Sequence, residues 1–310
     1  QEVQVKLEEA SGLICGKDFG LCYAPSFVAL GTVVRDFLNP DYVLIGDSDE
    51  KTGDLVESFY KTVCQNDPPV ARMNFVNAEL TKLATNTFVS TKITFGNMLA
   101  QFCERMPGAN VDTVTAALGQ DKRIGSRYLK GGLGYGGPCL VRDSVALVAL
   151  AERSGSRAWL AEATDTANKK EIGRLMGLIN SKIEKEEVVG ILGLSYKPGT
   201  NVVDASQGVL LAEALATDGS PVVVYDPMAM GEAKKILGES VEYADSAKSC
   251  IKRASLLVLT TPWKEFECLD AGLFAPSGSR KLVDCWRMLE GTAAAGATDY
   301  IPLGIGPSIV

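Results

Sequence analysis

The run Gly131-Gly132-Leu133-Gly134-Tyr135-Gly136-Gly137-Pro138-Cys139 holds the densest concentration of residues that could do chemistry. Five glycines in seven positions let backbone approach a ligand closely and present N–H groups to it. Pro138 suits the first turn of a helix. Cys139 then stands at a helix N-terminus, where the dipole stabilises a thiolate. Asp143 follows four residues on, along the same helical face. The plainer reading is a flexible loop beside a buried cysteine. Glycine density and the helix start together favour a working thiol.

Lys82 and Asn86 form a second pair, four residues apart on a helical stretch whose large residues are otherwise apolar: Leu80, Leu83, Phe88, Ile93, Phe95, Leu99 and Phe102. Such a pair could stabilise a developing oxyanion. On spacing alone a solvated stripe is the simpler explanation. A third signal is Gly190-Ile191-Leu192-Gly193, after a strand and before a helix, with Asp226 closing the next strand where a ribose ligand is expected. The third glycine is missing and Lys197-Pro198-Gly199-Thr200 intervenes. The match is therefore partial, and a Rossmann-like unit for some other nucleotide fits better.

Absences narrow the chemistry. The 310 residues include no histidine, which excludes Ser-His-Asp and Cys-His catalysis and most catalytic zinc sites. Acid–base work falls to Lys, Asp, Glu, Tyr or water. The eight cysteines form no CxxC pair, so zinc-ribbon and thioredoxin readings fail and no metal is expected. The seven besides Cys139 read as small core hydrophobes, and a reducing cytoplasm fits better than a disulfide framework. A net charge of −7 without a basic run argues against a nucleic-acid partner. No apolar stretch reaches about 18 residues, so no membrane span is expected.

The elements that must position these residues form an α/β chain in three regions. Residues 1–72 carry strand candidates at 20–23 and 42–46 and a helix over 52–64, punctuated by Asp67-Pro68-Pro69. They read as the remnant of an N-terminal Rossmann domain, without an opening strand or phosphate loop, and the chain is expected to begin mid-protein. Residues 73–185 are nearly all helix, over 78–105, 112–119, from Pro138 to 150, and 158–184. The last helix reads equally well as a solvated element or as a subunit seam through Trp159, Leu160, Ala163, Ala167, Ile172, Leu175 and Ile179. Residues 186–310 alternate strands (188–193, 221–225, 256–260, 281–284) with helices, which predicts a Rossmann-like, doubly wound parallel sheet.

Taken in order, these signals resemble the UDP-glucose/GDP-mannose dehydrogenase family. The resemblance spans the chain through residues 27–46, Ala78-Glu79-Leu80-Thr81-Lys82 with Asn86, Asp121-Lys122-Arg123-Ile124-Gly125, residues 134–143 and 193–200, and Tyr225-Asp226-Pro227. It is strongest to the archaeal and bacterial branch ending in Asp284-Cys285-Trp286-Arg287.

The resemblance implies oxidation of the C6 alcohol of a nucleotide-sugar, UDP-glucose foremost, to the uronic acid with two NAD+ in succession. Cys139 would attack the aldehyde as thiolate, giving a thiohemiacetal and then a thioester that water hydrolyses. Lys82 and Asn86 would stabilise the oxyanion, and Asp143 would assist proton transfer. Phe27, Tyr128, Gly132, Gly134, Tyr135, Gly136 and Gly137 would surround the UDP-sugar, and Lys197 would meet its diphosphate. Arg287 would reach the nucleotide phosphates, and Arg123 would reach across a homodimer built on the central, dimerisation helices. Gly137 and Cys139 would also face NAD, whose site is incomplete because the phosphate loop is absent.

Three departures accompany the resemblance. The family's N-terminal GxGxxG region is missing, which implies a truncated chain inactive alone. Pro25-Ser26-Phe27 replaces Pro-Glu-Phe, and Leu30 stands where many members carry another Glu. Thr200-Asn201-Val202-Val203-Asp204 replaces a Thr-Asp-Asp-x-Arg run. These departures leave two alternatives: a non-catalytic nucleotide-sugar-binding and dimerisation module, and a 2-hydroxyacid or 6-phosphogluconate-type dehydrogenase, which would lack the cysteine nucleophile.

Overall fold

A computed structural model describes residues 2–274 and 280–309. The chain divides into two compact units, residues 1–86 and 87–310.

The first unit contains α1 (Glu2–Ser11), β1 (Cys22–Tyr23), α2 (Val33–Leu38), β2 (Val43–Asp47), α3 (Glu50–Val63) and β3 (Val70–Met73), and α4 (Phe75–Cys103) begins in it. The apolar run of β2 is buried at Val43, Leu44 and Ile45 and forms the middle of a three-stranded sheet. It pairs antiparallel with β1 and parallel with β3. Asp49 caps α3, its Oδ1 accepting from the Thr52 amide at 2.9 Å. Strand β3 and helix α2 escaped the sequence reading, being short and only half-buried.

The second unit continues α4 and adds α5 (Val111–Gln120), α6 (Leu140–Arg153) and α7 (Trp159–Asn180). An α/β body follows: β4 (Val189–Leu192), α8 (Gln207–Thr217), β5 (Val222–Tyr225), α9 (Met230–Leu237), β6 (Glu242–Tyr243), α10 (Ala247–Arg253), β7 (Leu256–Leu259), α11 (Lys264–Glu267), β8 (Lys281–Asp284), α12 (Ala293–Gly296) and β9 (Asp299–Pro302). All six strands are parallel, in the order β6-β5-β4-β7-β8-β9. Counted from β4, this is the 3-2-1-4-5-6 order of a doubly wound sheet, with its switch point between β4 and β7. Both faces are covered, which is why β4 and β7 are apolar runs and not alternating ones. Leu175, Ile179, Leu211 and Leu215 pack on one side, and Cys250, Ile251, Phe266 and Phe274 on the other.

Two helices depart from their apolar patterns. In α7, Leu175 and Ile179 are fully buried in the chain's own core and Ile172 packs against it, so these three do not form a free seam. Trp159 and Leu160 are exposed. In α4 the polarity is inverted. Phe88, Phe95 and Phe102 face outward, whereas Thr87, Ser90 and Asn97 are buried beside Ala100 and Cys103. Among the described residues, no helix is long and apolar enough to cross a membrane.

Candidate active site

The glycine run is not a flexible surface loop, because residues 131–137 are all buried. Asn97, from α4, accepts from the Gly132 amide at 2.9 Å and donates to the Leu133 carbonyl at 2.8 Å. Asn168, from α7, accepts from the Tyr135 amide at 2.8 Å and donates to the Tyr135 carbonyl at 3.0 Å. The Gly137 amide donates to the Asp204 carbonyl at 2.7 Å. Three of the N–H groups expected to greet a ligand are thus engaged inside the protein. The glycines serve close packing. A Cβ on Gly136 would lie 2.4 Å from the Ala205 carbonyl oxygen. Gly137 has φ +86°, and a Cβ there would lie 2.6 Å from the Tyr196 ring.

Cys139 emerges from this clamped loop. It occupies the N-cap position of α6, is exposed, and its carbonyl receives the Asp143 amide at 2.9 Å. The Asp143 carboxylate is buried and pairs with Arg142 Nε at 2.9 Å. Arg142 also interacts with Cys139, and its guanidinium is held firmly protonated, first by Asp143. Burial pushes the Tyr196 phenol up, with the neighbouring Cys139 and Tyr128 adding to it. Arg142 and Tyr196 were both missed from sequence. The alternation of charges in Arg142-Asp143 was the only available signal for the first, and nothing in the sequence ties Tyr196 to Cys139.

Other expected residues are dispersed. Within the first unit, Lys82 Nζ lies 4.2 Å from the centroid of the half-buried Phe27 ring and donates to the Ser26 carbonyl at 3.0 Å. Asn86 follows one turn later, half-buried. In the second unit, Tyr135 is buried with its phenol pushed up, chiefly by that burial. Tyr128 is exposed with φ +61°. Gly132 packs on the Trp286 ring, and Gly134 lies between Asn168 and Gln207. Lys197 Nζ sits 5.6 Å from the Tyr196 ring centroid. Arg123 is exposed and paired with Asp121. Arg287 is buried, bonded to Asp112, Leu303 and Gly131.

Two expectations are corrected here. Asp226 is no open ribose ligand: it is buried, and its carboxylate accepts from the amides of Leu194, Ser195, Met228 and Ala229 and from Trp263 Nε1, at 2.7 to 3.0 Å. It locks the turn after β4 to the turn after β5. Of the seven other cysteines, Cys103, Cys250 and Cys285 are buried, whereas Cys15, Cys22 and Cys64 are half-buried and Cys268 is exposed, so these four are not core residues.

Sequence models of the NAD-binding, central and UDP-binding domains of the UDP-glucose/GDP-mannose dehydrogenase family match residues 1–64, 76–170 and 190–291. The chain belongs to the UDP-glucose/GDP-mannose dehydrogenase family. Family relatives include a UDP-glucose 6-dehydrogenase of Haloferax volcanii, 33% identical over 86% of this chain and 62% of that protein. Another is a UDP-glucose 6-dehydrogenase of Bacillus subtilis, 34% identical over 81% of this chain and 54% of that protein. The solved UDP-glucose dehydrogenase from Pyrobaculum islandicum superposes with a TM-score of 0.86 at 31% identity, covering 97% of this chain and 66% of that one. The chain thus spans about three-fifths of the length of the curated family members it matches. The NAD-binding-domain match refines the expectation of a mere remnant: residues 1–64 are recognisable as that family domain. They contain no GxGxxG sequence.

Proposed function

We propose that this chain carries the nucleophile and the UDP-sugar-binding part of an NAD-dependent nucleotide-sugar 6-dehydrogenase, acting on UDP-glucose foremost. One observation carries the reading: an exposed thiol at a helix start, delivered by a buried loop whose backbone is pinned from several elements. The regions 1–72, 73–185 and 186–310 are taken as NAD-binding, central and nucleotide-sugar-binding respectively.

In the proposed reaction the Cys139 sulfur bonds to the C6 carbon of the aldehyde, and the carbonyl oxygen becomes a thiohemiacetal oxygen. Lys82 and Asn86 take the oxyanion-stabilising role that the resemblance gives them. After the second oxidation, water cleaves the thioester, the carboxylate departs and the thiol is restored. Asp143, buried and paired with Arg142, orients that water. Gly132, Gly134, Tyr135, Gly136 and Gly137 shape the sugar site, with Phe27, Tyr128, Arg123 and Lys197 as further UDP-sugar contacts; Arg287, expected at the nucleotide phosphates, is instead buried and holds the Gly131 carbonyl at the head of the loop.

NAD+ would supply the hydride acceptor for both oxidations, and Gly137 and Cys139 are its proposed neighbours. The α3 N-terminus does not fit its pyrophosphate, because the Asp49 carboxylate already occupies that position. With no GxGxxG sequence in residues 1–86 either, these 310 residues alone are expected to bind UDP-sugar and react at Cys139 but to reduce NAD+ poorly.

A second reading, a non-catalytic nucleotide-sugar-binding and dimerisation module, is favoured by Ser26 in place of a glutamate. Alkylation separates the two. A catalytic Cys139 reacts rapidly with iodoacetamide at neutral pH and is shielded by UDP-glucose. Slow, unshielded labelling would reject the dehydrogenase.

A second copy of the chain is the proposed partner. Phe88, Phe95 and Phe102 stand seven residues apart on α4, all exposed, and form one apolar stripe on a central helix.

A further inference from the structure

We infer that Asn97 and Asn168 are positioning residues that hold the glycine loop in the path a nucleotide-sugar requires. The inference rests on the proposed function for its ligand, and on the loop geometry for its residues. Both side chains lie within helices and are almost fully buried, Asn97 at 2% exposure and Asn168 at 8%. A buried carboxamide is unfavourable unless its donor and acceptor are both used. Here both are used, and all four bonds go to the backbone of residues 132–135.

The loop has no regular structure, so its amides and carbonyls have no strand partner. Each asparagine supplies one donor and one acceptor and replaces such a partner. Only the orientation observed satisfies each side chain, since rotating the amide would set donor against donor and acceptor against acceptor. The two clamps approach from different helices, α4 and α7, and fix the loop ahead of Cys139. Hydrophobic residues at these positions would fill the space but leave loop groups unpaired. The same demand accounts for Asn97 on the buried face of α4.

The test labels the full chain with iodoacetamide, with and without UDP-glucose, and follows individual cysteines by mass spectrometry. Cys139 reports the loop, exposed Cys268 controls for the reagent, and buried Cys250 reports unfolding. In Asn97→Ala and Asn168→Ala, the UDP-glucose concentration that halves Cys139 labelling should rise at least about tenfold, the scale of one of the two hydrogen bonds each loses. Cys268 and Cys250 should label as before, which a merely structural defect would not allow. An unshifted midpoint with Cys250 still protected overturns the inference.

If either alanine variant exposes Cys250, the isosteric Asn97→Asp and Asn168→Asp variants replace it, keeping the acceptor and removing the donor. The same tenfold shift is expected, and its absence counts equally against the clamp. Should UDP-glucose fail to shield Cys139 in the unaltered protein, the functional reading fails, and amide exchange decides the positioning role without any ligand. Deuterium exchange at Gly132 should quicken about tenfold in Asn97→Ala and at Tyr135 in Asn168→Ala, the substitutions that remove the acceptor of each amide. Unchanged exchange overturns the inference.

Discussion

Arg287 grips Asp112 with a two-pronged pair, Nε to Oδ2 at 2.7 Å and Nη2 to Oδ1 at 2.9 Å. Its remaining donors reach the Leu303 carbonyl through Nη1 and the Gly131 carbonyl through Nη2, each at 2.7 Å. One side chain therefore ties the start of α5, the chain end after β9 and the first residue of the glycine loop together. The Arg287 side chain is 1% exposed and that of Asp112 40%, so the pair is only half desolvated. Arg287→Ala strands two buried carbonyls and is expected to lower stability by about 3 kcal/mol, at the low end for breaking a buried pair. Arg287→Lys cannot reproduce the fork and should recover less than half of that. Urea unfolding of the three proteins measures both. A loss below about 1 kcal/mol for alanine would show the tie to be idle.

The loop glycines make a contrasting pair of predictions with a glycine elsewhere. A Cβ on Gly136 meets the Ala205 carbonyl oxygen at 2.4 Å and its carbon at 3.0 Å, both backbone atoms that cannot swing away. Gly136→Ala is expected to cost roughly 1–3 kcal/mol and to lower the melting temperature by several degrees. Gly173 lies exposed within α7, and a Cβ there would meet nothing within 4 Å. Gly173→Ala should instead stabilise by about 0.5–1 kcal/mol. Calorimetry of the two variants checks the sign of each change.

What was legible in the sequence followed from what the elements bury. The strands β4, β5, β7 and β8 were readable because a doubly wound sheet covers both faces and writes them as apolar runs. Strand β6 has only two residues and β9 carries Asp299 and Pro302, so neither announced itself. The glycine run and Cys139 stood out through residue type alone. Their supports did not. The buried stripe of α7 passes through Ala161, Thr164, Asn168, Glu171, Leu175 and Ile179, and its polar members disguise the helical period. Asn168 is there to meet the loop. Glu171 is there to meet Gln101 and Arg174, at 2.6 and 3.0 Å. A pattern that equates burial with apolar character cannot find residues buried for their hydrogen bonds.

Asp36 should govern part of the acid limb of stability in the first unit. Its carboxylate accepts from Thr32 Oγ1 at 2.6 Å and from the Ala29 amide at 3.0 Å, closing the turn that follows Phe27. The Thr32 hydroxyl first, then the Ala29 amide, hold its pKa down at about 2. A depressed carboxylate stabilises above its unfolded pKa, and the gain fades as pH falls toward the folded value. Stability should therefore decline between about pH 4 and pH 2 in the natural protein. Asp36→Asn should lose stability at neutral pH and show a flatter decline across that window. Urea midpoints taken from pH 2 to pH 5 give the comparison, and parallel curves would exclude Asp36 as a source of the acid sensitivity.

The apolar stripe on α4 makes the last prediction. Phe88, Phe95 and Phe102 are 63%, 45% and 52% exposed, and nothing among the described residues covers them. Three phenyl rings in line are a costly surface to leave in water, since each gains roughly 1.5–3 kcal/mol on full burial. A second copy presenting the same stripe would bury both sets across a two-fold axis, because an isologous contact lets each patch serve as its own partner. Placing a carboxylate in the middle of that contact puts two unpaired charges into it, one from each copy. Phe95→Asp should therefore shift the chain from dimer to monomer in sedimentation equilibrium and weaken self-association at least about tenfold. The ring is already half exposed within a single chain, so the variant monomer should keep its fold and its circular dichroism. An unaltered protein that sediments as a monomer at all concentrations would assign the stripe some other partner.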